Sequence, residues 1–585
     1  MALRRGVGLV LTFLFVGILI SVGMIALMVL MVGREPAVAA HSVLTLRVEG
    51  ELDETGSADV FSGFVANRRP SVRSIVDNLR KAKSDARITG VIVRPGNLTS
   101  AYWGKLQEVR DAILDYRKSG KPAVAYLEYG GTREYFLATG CDRILLTPSS
   151  PLDLSGLATY ALFLRGTLDK IGATADYRHI GDYKTAPNQL TEKTFTPAHR
   201  EMEESLNSDF FEQLVQAVAE GRKKTAADVR TLVDEGPFLA TDALRAGLVD
   251  AVAYEDQIDE QPSLAAWKNA VRLESDAYAR VSQESLGLGR GPRIAVINVV
   301  GLISSGRSGY DPLNGPVAGS DTLIEYIRKA RKDSSIRAIV LRVDSPGGST
   351  IASDVVWREL TLARAAHPLV VSMSDLAASG GYYVAMAAPD IVAQPGTLTG
   401  SIGIYGGKIV LGGTYEKLGM NVEAVTRGRN AGMGSPVKPF SDSERQKLDE
   451  ELKAFYDQFV QRVAESRKMK TESVDAIAQG RVWTGRQAKN LGLVDALGGL
   501  DRAVAIAKER AKIPAGQNVE LVIYPPKRTL LDWVSDSLGS RTDGRAELAA
   551  LVGITDRRAV GVLTAPARLF RPGEPLALMP FAYMR

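Results

Sequence analysis

IVDNLRKAKSDARITGVIVR, residues 75–94, returns 248 positions later as LIEYIRKARKDSSIRAIVLR, residues 323–342. In both copies a segment with apolar residues at helical spacing runs into a β-branched strand. The correspondence extends outward on either side. VLTLRVEG (43–50) matches IAVINVVG (294–301), TLDKIG (167–172) matches TYEKLG (414–419), and AGLVDAV (246–252) matches LGLVDAL (491–497). Four ordered matches at a near-constant offset identify a duplicated unit, and repeated strand–helix steps call for a mostly parallel sheet with helices packed around it. The fold class expected is therefore α/β, in two tandem copies.

The 585 residues, 45% of them apolar, supply enough material for two or three cores. The first repeat is placed at 43–283 and the second at 293–520, joined by the glycine-rich ESLGLGRGP, 284–292. A tail, 521–585, follows; its YPPKRTLLDW stretch interrupts regular structure, and the sequence assigns it no chemical role. Seventy-two basic against 67 acidic residues leave a net charge of +5, too balanced to suggest nucleic acid as a partner. A single cysteine, Cys141, rules out an internal disulfide framework and speaks against a thiolate zinc site; no metal or cofactor is expected.

Ahead of the repeats, residues 6–33 contain no charged side chain, and about 20 apolar residues suffice for a membrane-spanning helix. Arg4 and Arg5, within the 1–5 leader, would stay in the cytoplasm and send the rest of the chain to the outer side, in a bacterium the periplasm or cell exterior. Ala37-Val38-Ala39 has the form of a signal-peptidase site, yet a cleavable apolar core is usually ~7–15 residues long. The run is read as an uncleaved anchor.

The repeats diverge where chemistry would sit. The second runs into DSPGGS (344–349), where the first has RPGNLTS (94–100). A Pro346-Gly347-Gly348 turn at a strand end can turn backbone N–H groups toward an oxyanion, although an isolated PGG is more often a plain turn. The second also carries SDLAASGGYYVAMAA (374–388), with Ser379 opposite Gly131 of the first. At a strand-to-helix junction such a serine exposes its Oγ, with the Gly380 N–H beside it; the ordinary alternative is a helix cap. The third difference is reversed: Lys184, in RHIGDYKTAPNQ (178–189), falls opposite Ala431. One copy keeps an amine and the other a hydroxyl, as two ancestral sites reduced to one composite site would.

Ser379 needs a base. The histidines, His41, His179, His199 and His367, all precede it and have no motif linking them to it, although His179 and His199 stay open. Lysine can serve if burial brings its pKa from ~10.4 toward ~7–8. The reading is a nucleophile, Ser379, a base, Lys184, and oxyanion amides from Gly347 and Gly380, with Gly348 in support. Ser401, in GTLTGSIG, is placed to orient the lysine.

DSPGGS, SDLAASGGYY, TLTGSIGIYGG and GDYKTA together resemble the signal peptide peptidase A family in its long two-repeat form. The resemblance implies tandem Clp-protease/crotonase-like βα superhelical domains, a serine–lysine dyad at Ser379 and Lys184, oxyanion glycines at Gly347 and Gly380, and a homotetramer over a bacterial inner membrane. It also implies remnant signal peptides as substrates. Two rivals remain at this level: a crotonase-like acyl-thioester enzyme or binder, for which no CoA signature is found, and a non-catalytic membrane scaffold.

Overall fold

The computed structural model describes residues 35–54, 71–99, 102–311, 314–526, 575–579 and 583–584, together with 15–17 and 23. Apart from those last four positions, the apolar run 6–33 lies outside the described residues, among which no helix is long and apolar enough to cross a membrane.

Each repeat builds a sheet with six parallel strands in the same order, to which the second adds Leu398–Gly400 and the antiparallel Val482–Thr484. In the first, that order is Ala251–Val252, Arg143–Leu146, Ala123–Leu127, Ile88–Leu98, Ser42–Gly50, Val271–Glu274. In the second, Ala496–Leu497, Asp390–Ala393, Leu369–Ala378, Ile336–Ser345, Arg293–Val300 and Glu520–Tyr524 take the corresponding places. Both faces of such a sheet are covered, which is why the central strands are apolar runs instead of alternating ones. All ten residues of Leu369–Ala378 are buried.

The quoted repeat explains its own helix. In Val72–Ser84, Val72, Ile75, Val76 and Leu79 recur at three- and four-residue spacing and are buried, while Lys81 and Lys83 fall in the last turn, where the helix dipole favours cations. Ser71 caps the start, accepting from the Ser74 N–H at 3.2 Å. The counterpart Ser320–Lys332 buries Leu323, Ile327 and Ala330 against the second sheet. Each such aliphatic side chain contributes roughly 1.5–3 kcal/mol on full burial.

A third sheet joins the repeats. Its order is Gly309–Asp311, Gly315–Gly319, Leu302–Ser304, Gly347–Ser349, Leu576–Leu578, Ile404–Val410, Thr174–Ile180. Thr174–Ile180 comes from the first repeat and pairs antiparallel with Ile404–Val410 of the second along its whole length, from Thr174 opposite Val410 to Ile180 opposite Ile404. Leu576–Leu578 comes from the tail and lies between strands of the second repeat.

The two main sheets meet through buried charge. Arg342 Nε lies 2.6 Å from Glu54 Oε1 and its Nη2 2.6 Å from Glu108 Oε2, and the side chain also reaches Ser372 Oγ at 2.8 Å. Beside it Lys105 Nζ is 2.7 Å from Asp344 and 3.5 Å from Asp375. Burial pushes the Asp375 carboxyl up to about 6, with Lys105 only partly offsetting it.

Candidate active site

The strand Leu369–Ala378 ends in Ser379, and the helix Gly380–Ala385 begins immediately after it. Ser379 makes the turn at φ +56° and ψ −113°, a combination that a residue with a Cβ avoids and that costs about 1–3 kcal/mol. Two hydrogen bonds hold it there: the Ser379 N–H donates to Gly400 C=O at 2.8 Å, and its own C=O accepts from the Tyr383 N–H at 2.8 Å. The small neighbours are required by close approach. A Cβ on Gly381 would stand 2.6 Å from Ser345 O, and one on Gly380 2.7 Å from Ser353 Oγ. Ser379 is itself fully buried.

Lys184 arrives from the other repeat. Four residues after Ile180 closes its pairing with Ile404, the chain turns along Gln479–Gly480: the Tyr183 N–H donates to Gln479 C=O at 2.9 Å, and Gly480, at φ +79°, lies against the Lys184 backbone. A Cβ at Gly480 would sit 2.5 Å from Lys184 Cα and Cβ. The lysine side chain then passes Gly403, where a Cβ would come within 3.2 Å of Cδ. Its Nζ ends 2.8 Å from Ser379 Oγ, 3.0 Å from Ser401 Oγ and 3.1 Å from Ser401 C=O.

These three partners are all uncharged. Burial lowers the Lys184 pKa well below that of an ordinary lysine, with no opposing charge beside it. A neutral amine can meet all three oxygens, with two N–H groups for the Ser401 oxygens and its lone pair for the Ser379 hydroxyl, as an ammonium would with three N–H groups. Ser401, which the sequence placed in an orienting role, is buried at φ +49° with its N–H donating to Arg481 C=O at 2.7 Å.

Among the described residues no histidine hydrogen-bonds to Ser379. The exposed His179 has its Nδ1 2.9 Å from Gly181 O, and His367 Nε2 is 3.0 Å from Arg331 O. His199 is buried beside Glu203 at 3.6 Å, with its ring 4.8 Å from that of Phe195. No group of three His, Cys, Asp or Glu side chains able to hold a metal ion occurs among the described residues.

Gly347 and Gly348 lie across from Gly380: a Cβ on Gly347 would stand 2.7 Å from the Gly380 nitrogen, and one on Gly380 3.1 Å from the Gly348 nitrogen. The two glycines are not equivalent. The Gly347 N–H donates to Ser345 Oγ at 3.2 Å, and Ser345 is anchored in turn on Gly301 C=O at 2.6 Å. The Gly348 N–H points instead toward the tail strand. Met579 N–H donates to Pro346 C=O at 2.9 Å, and antiparallel pairs alternate, so Gly348 and Ala577 form the next pair that exchanges both hydrogen bonds. The sequence reading named Gly347 for the oxyanion, and residue types in a turn show nothing of where an N–H points. The tail strand was not foreseen; its alternating PLALM pattern was the available signal.

Comparison with known proteins places the chain in a family. The model of peptidase family S49 matches residues 115–267 and 361–514, one match in each repeat. The chloroplastic serine protease SPPA of Arabidopsis thaliana is 36% identical over 511 residues, covering 86% of this chain and 74% of that protein. Protease 4 of Salmonella typhi is 36% identical over 481 residues (80% and 76%), and protease 4 of Haemophilus influenzae 30% over 504 residues (81% and 80%). With a family match in both halves and relatives at this level along most of its length, the chain belongs to peptidase family S49 and is a serine protease.

Proposed function

We propose that the protein is an endopeptidase of apolar peptides, working through a Ser379–Lys184 dyad and an acyl-enzyme. Neutral Lys184 takes the Ser379 proton, the oxygen adds to the substrate carbonyl carbon, and the N–H groups of Gly348 and Gly380 receive the oxyanion. The lysine then returns the proton to the leaving amine, and water, activated by the same amine, hydrolyses the ester. Ser401 keeps the amine aimed and does not touch the substrate. The observation that carries the reading is the 2.8 Å approach of Lys184 Nζ to Ser379 Oγ in a buried setting without a carboxylate partner. Gly348 replaces the Gly347 of the sequence reading because the Gly347 N–H is already committed to Ser345 Oγ.

In this proposal residues 6–33 anchor the chain in a bacterial inner membrane with both repeats outside the cytoplasm, and the substrates are peptides left in or near the bilayer, remnant signal peptides among them. The charge-free run behind Arg4 and Arg5 supports the anchor. Each repeat is read as a Clp-protease/crotonase-like unit on the strength of the shared parallel strand order.

A homotetramer belongs to the same proposal. Residues 421–427 of the second repeat correspond to the strand Thr174–Ile180, yet they are unpaired and exposed, with Val422 and Val425 51% and 98% accessible. Residues 157–163 correspond to Ile404–Val410 and expose Tyr160 and Leu162, with Thr159–Tyr160 paired in the chain only to the short strand Tyr583–Met584. A second copy can thus repeat, between chains, the pairing that Thr174–Ile180 makes with Ile404–Val410 inside one.

The test is hydrolysis of an apolar peptide by the full chain in detergent, as wild type, Ser379→Ala and Lys184→Ala. Each variant is expected to lose about 10⁴-fold in kcat while keeping the wild-type circular dichroism spectrum. A Lys184→Ala protein as active as wild type would sink the dyad.

A further inference from the structure

Arg481 sits where the backbone segments of the site come together. Its C=O accepts the Ser401 N–H at 2.7 Å, and Gly480, the residue before it, packs against the Lys184 backbone. Two positions on, Trp483 covers Gly400, the residue whose C=O holds the Ser379 N–H. A Cβ on Gly400 would stand 2.9 Å from the Trp483 ring and 3.1 Å from Arg481 O. The antiparallel pairing of Leu398–Gly400 with Val482–Thr484, Gly400 opposite Val482, fixes that register. Residues 481–483 of the second repeat thus back both Ser401 and Gly400. Tyr183, adjacent to Lys184, faces them from the first repeat.

The Arg481 side chain crosses from one repeat to the other. Its guanidinium carbon lies 4.6 Å from the centre of the Tyr183 ring and 4.5 Å from that of Trp483, one ring from each repeat. Its Nη1 donates to Glu201 Oε1 at 2.7 Å, and the other Glu201 oxygen accepts from the Tyr183 hydroxyl at 2.7 Å. Glu201 stands on the first-repeat helix Pro197–Arg222. A planar, delocalised cation suits this setting, since its face meets aromatic rings while its edge donates. The Glu201 side chain is 57% exposed, and an exposed ion pair by itself holds little. Only 16% of the Arg481 side chain is exposed, so the ring contacts carry the larger share.

We propose that Arg481 is a positioning residue for the reaction, clamping the Lys184 segment of the first repeat onto the Ser379 and Ser401 segments of the second. The proposal rests on the Ser379–Lys184 reading. Among the described residues the Arg481 side chain hydrogen-bonds to neither Ser379 nor Lys184, and it carries no proton in the reaction. It acts through Tyr183 on one side and Trp483 on the other. The composite site creates the need for such a clamp. Base and nucleophile belong to different repeats, so any play between the repeats changes the 2.8 Å approach of Lys184 Nζ to Ser379 Oγ directly. The same play admits water to an amine whose pKa is held down by burial.

Steady-state kinetics of the full chain in detergent, on an apolar peptide across a range of pH, test this with Arg481→Met, Arg481→Lys and Glu201→Ala. Arg481→Met keeps an unbranched side chain and removes the charge and the plane. It is expected to lose about 10–100-fold in kcat with KM little changed, since a displacement of about 1 Å costs on the order of 10²-fold. Its kcat/KM is expected to rise at a higher pH than that of wild type, because water beside Lys184 moves the amine back toward ordinary lysine. Arg481→Lys keeps the charge but offers the rings no flat face, and is expected to recover at most a few-fold of the loss. Glu201→Ala, a change at an exposed carboxylate, is expected to lower kcat several-fold with the same upward move of the pH profile. Arg481→Met with a lower melting temperature but wild-type kcat and pH profile overturns the proposal and leaves a structural contact. Full recovery by Arg481→Lys overturns it by reducing the clamp to a charge pair, and a raised KM at wild-type kcat overturns it by placing Arg481 on the substrate. Should Arg481→Met not fold, Glu201→Ala decides, and wild-type kinetics in that variant overturn the clamp. Failure of the dyad reading shows separately, as full activity of Lys184→Ala; with that variant inactive, each contrary result above counts against Arg481 alone.

Discussion

Ser379 and Ser401 hold positive φ angles, +56° and +49°, and both face the same amine. Such strain is stable only when the surroundings over-determine it, and here each backbone N–H is tied to a carbonyl of a neighbouring segment, Gly400 and Arg481. Burial alone lowers the pKa of that amine well below that of an ordinary lysine. Below its folded pKa Lys184 is protonated, has no lone pair and cannot accept the Ser379 proton. The expected kcat/KM therefore rises with pH along a single ionisation lying well under that of ordinary lysine, then levels off. A profile rising only where free lysine titrates would contradict the buried base. At this scale the sequence was informative for side chains and mute for amides: Ser379 and Lys184 stood out because each is missing from the other repeat, but the partner of the Gly347 N–H depends on a peptide-plane orientation that no residue type encodes.

The strand Thr174–Ile180 is the element that makes the site composite. Its antiparallel pairing with Ile404–Val410 carries Lys184 into the second repeat, and the backbone contact at Gly480 sets the height at which the lysine enters. Gly480→Ala adds a methyl 2.5 Å from Lys184 Cα at a φ of +79°, so the lysine segment must shift. Displacement of a reacting group by about 1 Å costs on the order of 10²-fold. The variant is expected to lose about that much kcat with KM little changed, read by steady-state kinetics on an apolar peptide; unaltered kcat would show that the backbone contact does not position the base. Helix and strand identities within the repeats were readable from periodicity. The joining sheet was not, because its seven strands come from both repeats and the tail, and long-range antiparallel pairing leaves no local pattern beyond short apolar runs.

Over the whole molecule, the repeats are held in one orientation by charge as well as by that sheet. Arg342 of the second repeat is fully buried against Glu54 and Glu108 of the first. Removing one partner of a buried ion network strands the others without water, which costs roughly 3–5 kcal/mol. Arg342→Ala is expected to lower unfolding free energy by that amount in urea melts, and to reduce activity because Ser379 and Lys184 belong to the two halves it joins. A loss below 1 kcal/mol would mean that water reaches the carboxylates. The sequence by itself determined the duplication, the α/β class and the polar residues that one copy carries and the other lacks, since these follow from periodicity and from comparing one copy with the other. Only the tertiary structure decided that the amine of one copy meets the hydroxyl of the other, that the Gly347 N–H is tied to Ser345 Oγ, and that the tail strand lies between Gly347–Ser349 and Ile404–Val410, since each depends on how the chain folds in space and not on residue type.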